Sequence, residues 1–463
     1  MARLKITETV LREGNQCFDG SIMKITDIIP VLSELDKVGF YSLEVFGGRT
    51  FEDSLRYLRE DPWQRLRRIK AGVHSTKLQM VCSGRQLMGN TTHSDDVVSY
   101  FFQKCIDNGI DIVRVYDPMN NPANLECAIR TVKKEGATVQ AGICYIDSPQ
   151  FLTDIFLPFA KQLKNMGADS VCLIDNAGIL PPYETYQMIK ALRSTDFGYK
   201  VQLHAHCNLA TATASLLKAA EAGVDAADTC ISPFALGSSL PPTESIVYAL
   251  NHTPYETELD LERLFNVGSY FGELKMKYRK DGFYSIAEPG ADLLTMKYGI
   301  PAFIHRNVAG LLTMHGEESR KLLPDILREI KRIQGELGYP ALVAPLANVI
   351  AVQATQNILD GKRYRTVTPD FACLLQGKQG KTVLPVAHTL EELSRSLPSY
   401  SQETVRSIEY FKGAVAPFAE QEEDLLSLAL FPETAREFFE WRKRMRFRLE
   451  KSSSGSRSVH PTI

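Results

Sequence analysis

Asn108-Gly109-Ile110-Asp111, Met166-Gly167-Ala168-Asp169 and Ala222-Gly223-Val224-Asp225 repeat one junction almost verbatim. Each places a glycine where a helical pattern stops and an aspartate where an apolar run is about to start. Glycine just past a helix C-terminus takes the left-handed backbone at no steric cost. Gly39 and Gly136 mark further junctions of the same kind. Working outward, short β-branched runs recur at Lys5–Leu11, Phe40–Phe46, Lys77–Cys82, Ile110–Tyr116, Thr138–Tyr145, Ser170–Ile174, Lys200–His206 and Ala226–Ile231. Segments between them carry helical periodicity. In one, Val97, Val98, Phe101, Phe102, Cys105 and Ile106 form a single apolar face. Eight strand–helix units within the first ~250 residues are the sequence form of a (β/α)8 TIM barrel. A doubly wound open sheet is the alternative, and the lack of a GxGxxG after the first strand counts against it.

Past about residue 255 helical segments dominate, such as Ser319–Leu337 and Leu342–Leu359. The expected organisation is a barrel over 1–300, a mostly helical C-terminal domain over 301–450 and a disordered tail over 451–463. The basic run within Glu433–Lys451 reads as a solvated surface helix with an apolar seam rather than a nucleic-acid patch.

A net charge of -2 argues against nucleic acid or anionic membranes as partners. No apolar run approaches the ~20 residues of a membrane span. The start, Met1-Ala2-Arg3-Leu4-Lys5-Ile6, has no signal-peptide core. Nine scattered cysteines with no CxxC pair read as reduced, buried thiols, so a cytoplasmic enzyme is expected.

Chemistry in such a barrel sits at the C-terminal ends of the strands. That rule places Arg12, Glu13 and Gln16 after the first strand, Ser83 and Arg85 after the third, and Asp117 after the fourth. Asp175 and Asn176 follow the sixth, and Asn208 the seventh. The seventh strand closes on Val201-Gln202-Leu203-His204-Ala205-His206-Cys207, with two of the nine histidines one residue apart. Positions i and i+2 of a strand face the same way, so both imidazoles share a side. With Glu13 converging on them, His204 and His206 make a three-ligand set with open positions, suited to Zn, Mn, Co or Fe(II). A lone HxH is more often a pair of ordinary polar residues; its place at a barrel mouth is what favours metal.

At this point the motifs resemble a known family. Thr9-Val10-Leu11-Arg12-Glu13-Gly14-Asn15-Gln16 is similar to the TLRDAHQS signature of the biotin-dependent carboxyltransferases. These include the pyruvate carboxylase carboxyltransferase domain, the oxaloacetate decarboxylase alpha chain and the pyruvate-binding subunit of transcarboxylase. Ser42–Gly48 resembles SLEVWGG, Arg59–Leu66 resembles NEDPWERL and Lys77–Met80 matches KLQM. The stretch from Ile231 to Ser245 resembles ISPFAGGTSQPATES. Gly338–Ile358 and Tyr364–Val386 resemble the helical funnel that follows that barrel.

The resemblance implies a metal-centred site where the metal polarises the carbonyl of a 2-oxo acid and stabilises its enolate. Implied ligands are an aspartate after strand one, a carbamylated lysine after strand six and the two histidines. A threonine beyond them shuttles a proton with biotin, and arginines hold the substrate carboxylate. Carried over residue by residue, His204 and His206 match, and Glu13 replaces the aspartate with one more methylene. Ile174 replaces the lysine and cannot ligate, while Asn208 replaces the threonine without a titratable hydroxyl. The family's RGQN reads Ser83-Gly84-Arg85-Gln86, which leaves Arg85 as the nearby cation. Ile22 and Asn90 stand where the family has an arginine and a tyrosine, and Arg12, Gln16 and Asp117 are kept.

Fold-bearing motifs thus survive while chemistry-bearing positions change together, the pattern of a repurposed site. The expected function is a metal-dependent enzyme that makes or breaks a C–C bond beside the carbonyl of a pyruvate- or oxaloacetate-type 2-oxo acid. Glu13, His204 and His206 would bind metal. Arg12, Gln16, Asn208 and Asp117 would serve catalysis, and Ser83, Arg85 and Asn90 would line the substrate. The alternatives are a biotin-independent aldolase or lyase on the same barrel, or a non-catalytic scaffold or regulatory homologue. No AMKM-like biotinylation motif is present, so biotin is expected only on a separate carrier protein, and the resemblance implies a homodimer.

Overall fold

The computed structural model describes residues 3–17, 22–89, 91–148, 151–194, 198–283, 290–314, 316–382, 384–398 and 405–455. Eight parallel strands close into a barrel: β1 Lys5–Glu8, β2 Ser42–Gly47, β3 Lys77–Ser83, β4 Ile112–Tyr116, β5 Thr138–Cys144, β6 Ser170–Asp175, β7 Lys200–Ala205 and β8 Ala226–Thr229. The pairing of β8 with β1, Lys5 opposite Ala226 through Glu8 opposite Thr229, closes the ring and rules out the open sheet. β1, β7 and β8 end earlier than the apolar pattern runs. Their last apolar residues, Val10, Leu11, Cys207 and Ile231, are buried in the loops that fold over the mouth.

The repeated junction explains the floor of the barrel. Gly109, Gly167 and Gly223 hold φ of 104°, 95° and 90°, and each following aspartate accepts a backbone N–H from the strand before. Asp111 Oδ2 takes Leu78 N at 2.8 Å, Asp169 Oδ2 takes Val139 N at 2.9 Å, and Asp225 Oδ2 takes Val201 N at 2.8 Å. Lys70, Lys133 and Arg193 pair with the same three carboxylates. The motif ties neighbouring strands at the N-terminal face, leaving the opposite face for chemistry.

Two apolar cores hold the chain. The first fills the barrel wall and its helices, with Trp63 at its centre against Phe46, Phe51 and Phe101. The second gathers helices Ala302–Met314, Leu323–Glu336, Leu346–Leu359 and Pro369–Leu375 around Ile304, Val308, Ile330, Ile350 and Phe371. The chain then returns to the barrel: Phe411, Leu426, Phe438 and Phe439 pack on the first core, and Trp63 Nε1 donates to Ser427 Oγ at 3.0 Å. Helix Pro432–Gly455 has a buried seam of Ala435, Phe438 and Phe439, while Arg442 pairs with Asp424 at 2.6 Å. This is the seamed surface helix that the sequence implied. The disordered tail was expected from 451, but residues 451–455 continue this helix, and 456–463 lie outside the described residues. Among the described residues eight cysteines are free thiols, seven of them buried. Among those residues, too, no helix is long and apolar enough to cross a membrane.

Candidate metal centre

Inside the barrel, polar side chains break otherwise apolar strands. Glu44 of β2, Arg114 of β4 and Asp228 of β8 are each about 1% exposed or less. Arg114 Nη1 lies 2.5 Å from Asp228 Oδ2 and 3.4 Å from Glu44 Oε2, and Arg114 Nε donates to Gln140 Oε1 at 2.5 Å. Glu44 Oε1 accepts Arg12 Nε at 2.5 Å, and Arg12 Nη2 reaches Glu13 Oε2 at 2.5 Å. Glu13, Arg12, Glu44, Arg114 and Asp228 therefore form a buried chain of alternating sign, with one net negative charge. Buried charges persist where each is paired in this way.

The chain ends on the histidines. His204 Nδ1 stands 2.6 Å from Asp228 Oδ2, and His206 Nδ1 stands 2.6 Å from the Ser238 carbonyl oxygen. A carbonyl cannot donate, so His206 carries its proton on Nδ1 and presents a lone pair on Nε2. Burial pushes Asp228 up, but Arg114 above all holds it far below the carboxylate range, so it too is an acceptor and fixes the His204 proton on Nδ1. The two Nε2 atoms face each other at 3.2 Å, and His206 Nε2 lies 3.8 Å from Glu13 Oε1. Ligand atoms of Glu13, His204 and His206 all fall within 4.8 Å of one another. Burial pushes the His206 imidazole down to about 4. Burial also raises the Glu13 carboxyl, yet Arg12 and the two imidazoles outweigh it and leave the group below its ordinary value. Three converging acceptors, each oriented from behind, fit a divalent cation.

The site residues anticipated from sequence do not all gather here. Glu13, His204 and His206 do, with Arg12 beside them. Gln16 lies over Gly48, whose added Cβ would come within 3.2 Å of Gln16 Nε2 and 3.6 Å of Arg12 Nη1. Gln16 Nε2 has no hydrogen-bond partner among the described residues. Asn208, two residues past His206, is buried; its Nδ2 donates to the Ala177 carbonyl at 3.0 Å, and its Oδ1 is unpartnered among the described residues. Asp117 serves its own loop, accepting Met119 N, Asn121 N and Asn124 Nδ2. Ser83 is buried at the end of β3, where its backbone N–H donates to Leu87 O at 2.9 Å. Arg85 turns to the surface and pairs with Asp95 at 3.1 Å. Asn90 lies outside the described residues. Ile174 sits level with His204 in the β6–β7 register, its Cδ1 packed where a Cβ on Gly142 would come within 2.6 Å.

Glu44, Arg114, Asp228 and Ser238 escaped the sequence reading. For the first three the signal existed, since each is an ionisable residue inside an apolar parallel strand. Ser238 gives no such signal, because its carbonyl rather than its side chain orients His206.

Comparison with known proteins agrees with the fold and the motifs. The HMGL-like family matches residues 3–270, and the conserved carboxylase domain matches residues 313–462. A pyruvate carboxylase subunit from Methanocaldococcus jannaschii is 38% identical over 448 residues, 94% of this chain and 77% of that protein. The methylmalonyl-CoA carboxyltransferase 5S subunit of Propionibacterium freudenreichii is 35% identical, covering 94% and 87%. The 2-oxoglutarate carboxylase large subunit of Hydrogenobacter thermophilus is 33% identical, covering 94% and 68%. In fold, the chain superposes on the carboxyl transferase domain of Rhizobium etli pyruvate carboxylase, solved with pyruvate and biocytin, at a TM-score of 0.85, 23% identity, and coverage of 95% and 77%. The resemblance read from the motifs is thereby borne out: the chain belongs to the carboxyltransferase family of the pyruvate carboxylase type and is an enzyme of that superfamily.

Proposed function

We propose that this enzyme is a divalent-metal-dependent carboxyltransferase for a 2-oxo acid, with Glu13, His204 and His206 as the protein ligands. The observation that carries the reading is the convergence of three acceptor atoms within 4.8 Å, each imidazole held from behind through Nδ1. When bound, a divalent ion would supply Lewis-acid polarisation of the 2-oxo carbonyl, the support its enolate requires. Arg12 holds Glu13 through Oε2, which leaves Oε1 turned toward His206. Gln16 Nε2, unpartnered among the described residues and beside Arg12, is the donor for a substrate oxygen. The names of two relatives support the class, pyruvate carboxylase and 2-oxoglutarate carboxylase, each named for a 2-oxo acid.

Biotin on a separate carrier would deliver or remove the carboxyl group, and the names of the relatives, which mark them as parts of larger enzymes, support such an assembly. Asn208 offers a cyclic urea one amide donor and one acceptor, and its Oδ1 is the unpartnered atom. Without a titratable hydroxyl Asn208 would hydrogen-bond the biotin ring but could not carry its proton. A homodimer is part of the same proposal.

Metal analysis of the purified chain tests this first. Stoichiometric Zn, Mn, Co or Fe that is lost with His206→Ala supports the reading, and its absence together with indifference to chelators overturns it. Oxaloacetate decarboxylation should rise with added free biotin; a rate independent of biotin excludes biotin from the reaction.

A further inference from the structure

The two imidazoles are oriented by unequal partners. Asp228, behind His204, is a strand residue locked by Arg114. Ser238, behind His206, lies on the loop after β8, and a loop carbonyl orients a ligand only as firmly as the loop is held. The loop is pinned on one side by Cys207 N donating to Ser239 O at 2.8 Å. On the other side it meets the second core. Helix Ala302–Met314 buries Ile304, Val308 and Leu312 in that core, yet Arg306 Nη2 donates to Ser238 Oγ at 3.0 Å. Its neighbour His305 lies 3.1 Å from Asp292 Oδ1, and the Asp292 backbone N–H donates to the Asn208 carbonyl at 2.7 Å. Two consecutive residues of one helix thus reach both loops that flank His206, one directly and one through Asp292.

We propose that Arg306 is a positioning residue for the His206 ligand, acting through Ser238, so that the helical second core completes a metal site otherwise built by the barrel. The inference rests on the metal reading above. Arg306 holds the Ser238 hydroxyl, the Ser238 carbonyl then stays on His206 Nδ1–H, and Nε2 stays aimed at the ligand cluster.

The test uses the full chain loaded with Co(II). Affinity is read by competition with a chromophoric chelator, and geometry by the visible d–d bands. Arg306→Met and Ser238→Ala should each weaken binding by on the order of 10–100-fold, the usual effect of losing an outer partner of a ligand, and should shift the bands. Arg306→Lys should recover part of both, because its ammonium still donates, and the double variant should be no worse than either single. A merely structural role lowers the melting temperature of the metal-free protein and leaves affinity and bands unchanged, and that result overturns the proposal. Should Arg306→Met fail to fold, Ser238→Ala decides alone: wild-type affinity and bands overturn the proposal, while their loss supports it. A wild-type chain that takes up no Co(II) removes the metal reading itself, and this inference with it.

Discussion

Asp228 Oδ2 stands 2.6 Å from His204 Nδ1, and the same oxygen lies 2.5 Å from Arg114 Nη1. One buried carboxylate therefore sets the tautomer of a candidate ligand and neutralises the buried guanidinium of Arg114. Its neighbours are strand residues, so neither partner can move away without distorting the barrel.

Asp228→Asn should therefore carry two separable losses. Metal affinity should fall by about 10–100-fold as His204 loses its anionic partner. Stability should fall by about 3–5 kcal/mol as Arg114 is left undercompensated in the interior. Chelator competition reads the first, and chemical denaturation of the metal-free protein reads the second.

Glu13→Gln should abolish stoichiometric metal while keeping the fold. The amide leaves Arg12 its second partner, Glu44 at 2.5 Å, so the barrel interior stays paired. Elemental analysis beside far-ultraviolet circular dichroism checks this, and retained metal would remove Glu13 from the ligand set.

Arg85→Ala should leave the KM for the 2-oxo acid unchanged and cost no more than about 1 kcal/mol, as exposed pairs do. Its guanidinium is part-exposed and already pairs with the exposed Asp95 at 3.1 Å. Steady-state kinetics on the purified variant decide the matter.

Glu8 predicts a pH dependence. Burial pushes its carboxyl up to about 8 from an ordinary 4.5, against hydrogen bonds from Thr243, Ile231 and Val10. The folded chain binds this proton more tightly than the unfolded one, so the stability it contributes is full below pH 4.5 and is lost as pH rises through about 8. Glu8→Gln keeps the shape and removes the titration. Its melting temperature should fall less than that of the wild type between pH 5 and pH 8.5, and parallel profiles would refute the assignment.

Asp225→Ala should destabilise without touching the metal. It leaves Val201 N, now bonded at 2.8 Å, without an acceptor, a loss of about 1–3 kcal/mol. Unfolding midpoints and metal content, measured on the same preparation, separate the two effects.

The barrel was legible because its instructions are local. Glycine at a helix end, aspartate at a strand start and β-branched runs between them act over a few residues, and the junction at 108–111 reads the same way at 166–169 and 222–225. His204 and His206 were legible as a pair for a similar reason, since strand alternation alone puts both on one face. Strand-end counting then brought Glu13 to them from nearly two hundred positions away. By itself, then, the sequence determined the barrel, the face that carries chemistry and the three candidate ligands.

What lay beyond it depends on contacts between elements remote in the chain. Nothing local distinguishes Arg85, which pairs with Asp95 at the surface, from Arg306, which reaches Ser238 from the second core. Asp117 carries the residue type and place of a catalytic group, but three donors of its own loop occupy it. Only tertiary structure decided which charges neutralise one another, which loop carbonyl fixes His206 and which helix fixes that loop. The physical reason is that a buried ion or a ligand's tautomer is set by partners within about 3 Å in space, and the chain brings those partners together from separate strands, loops and cores.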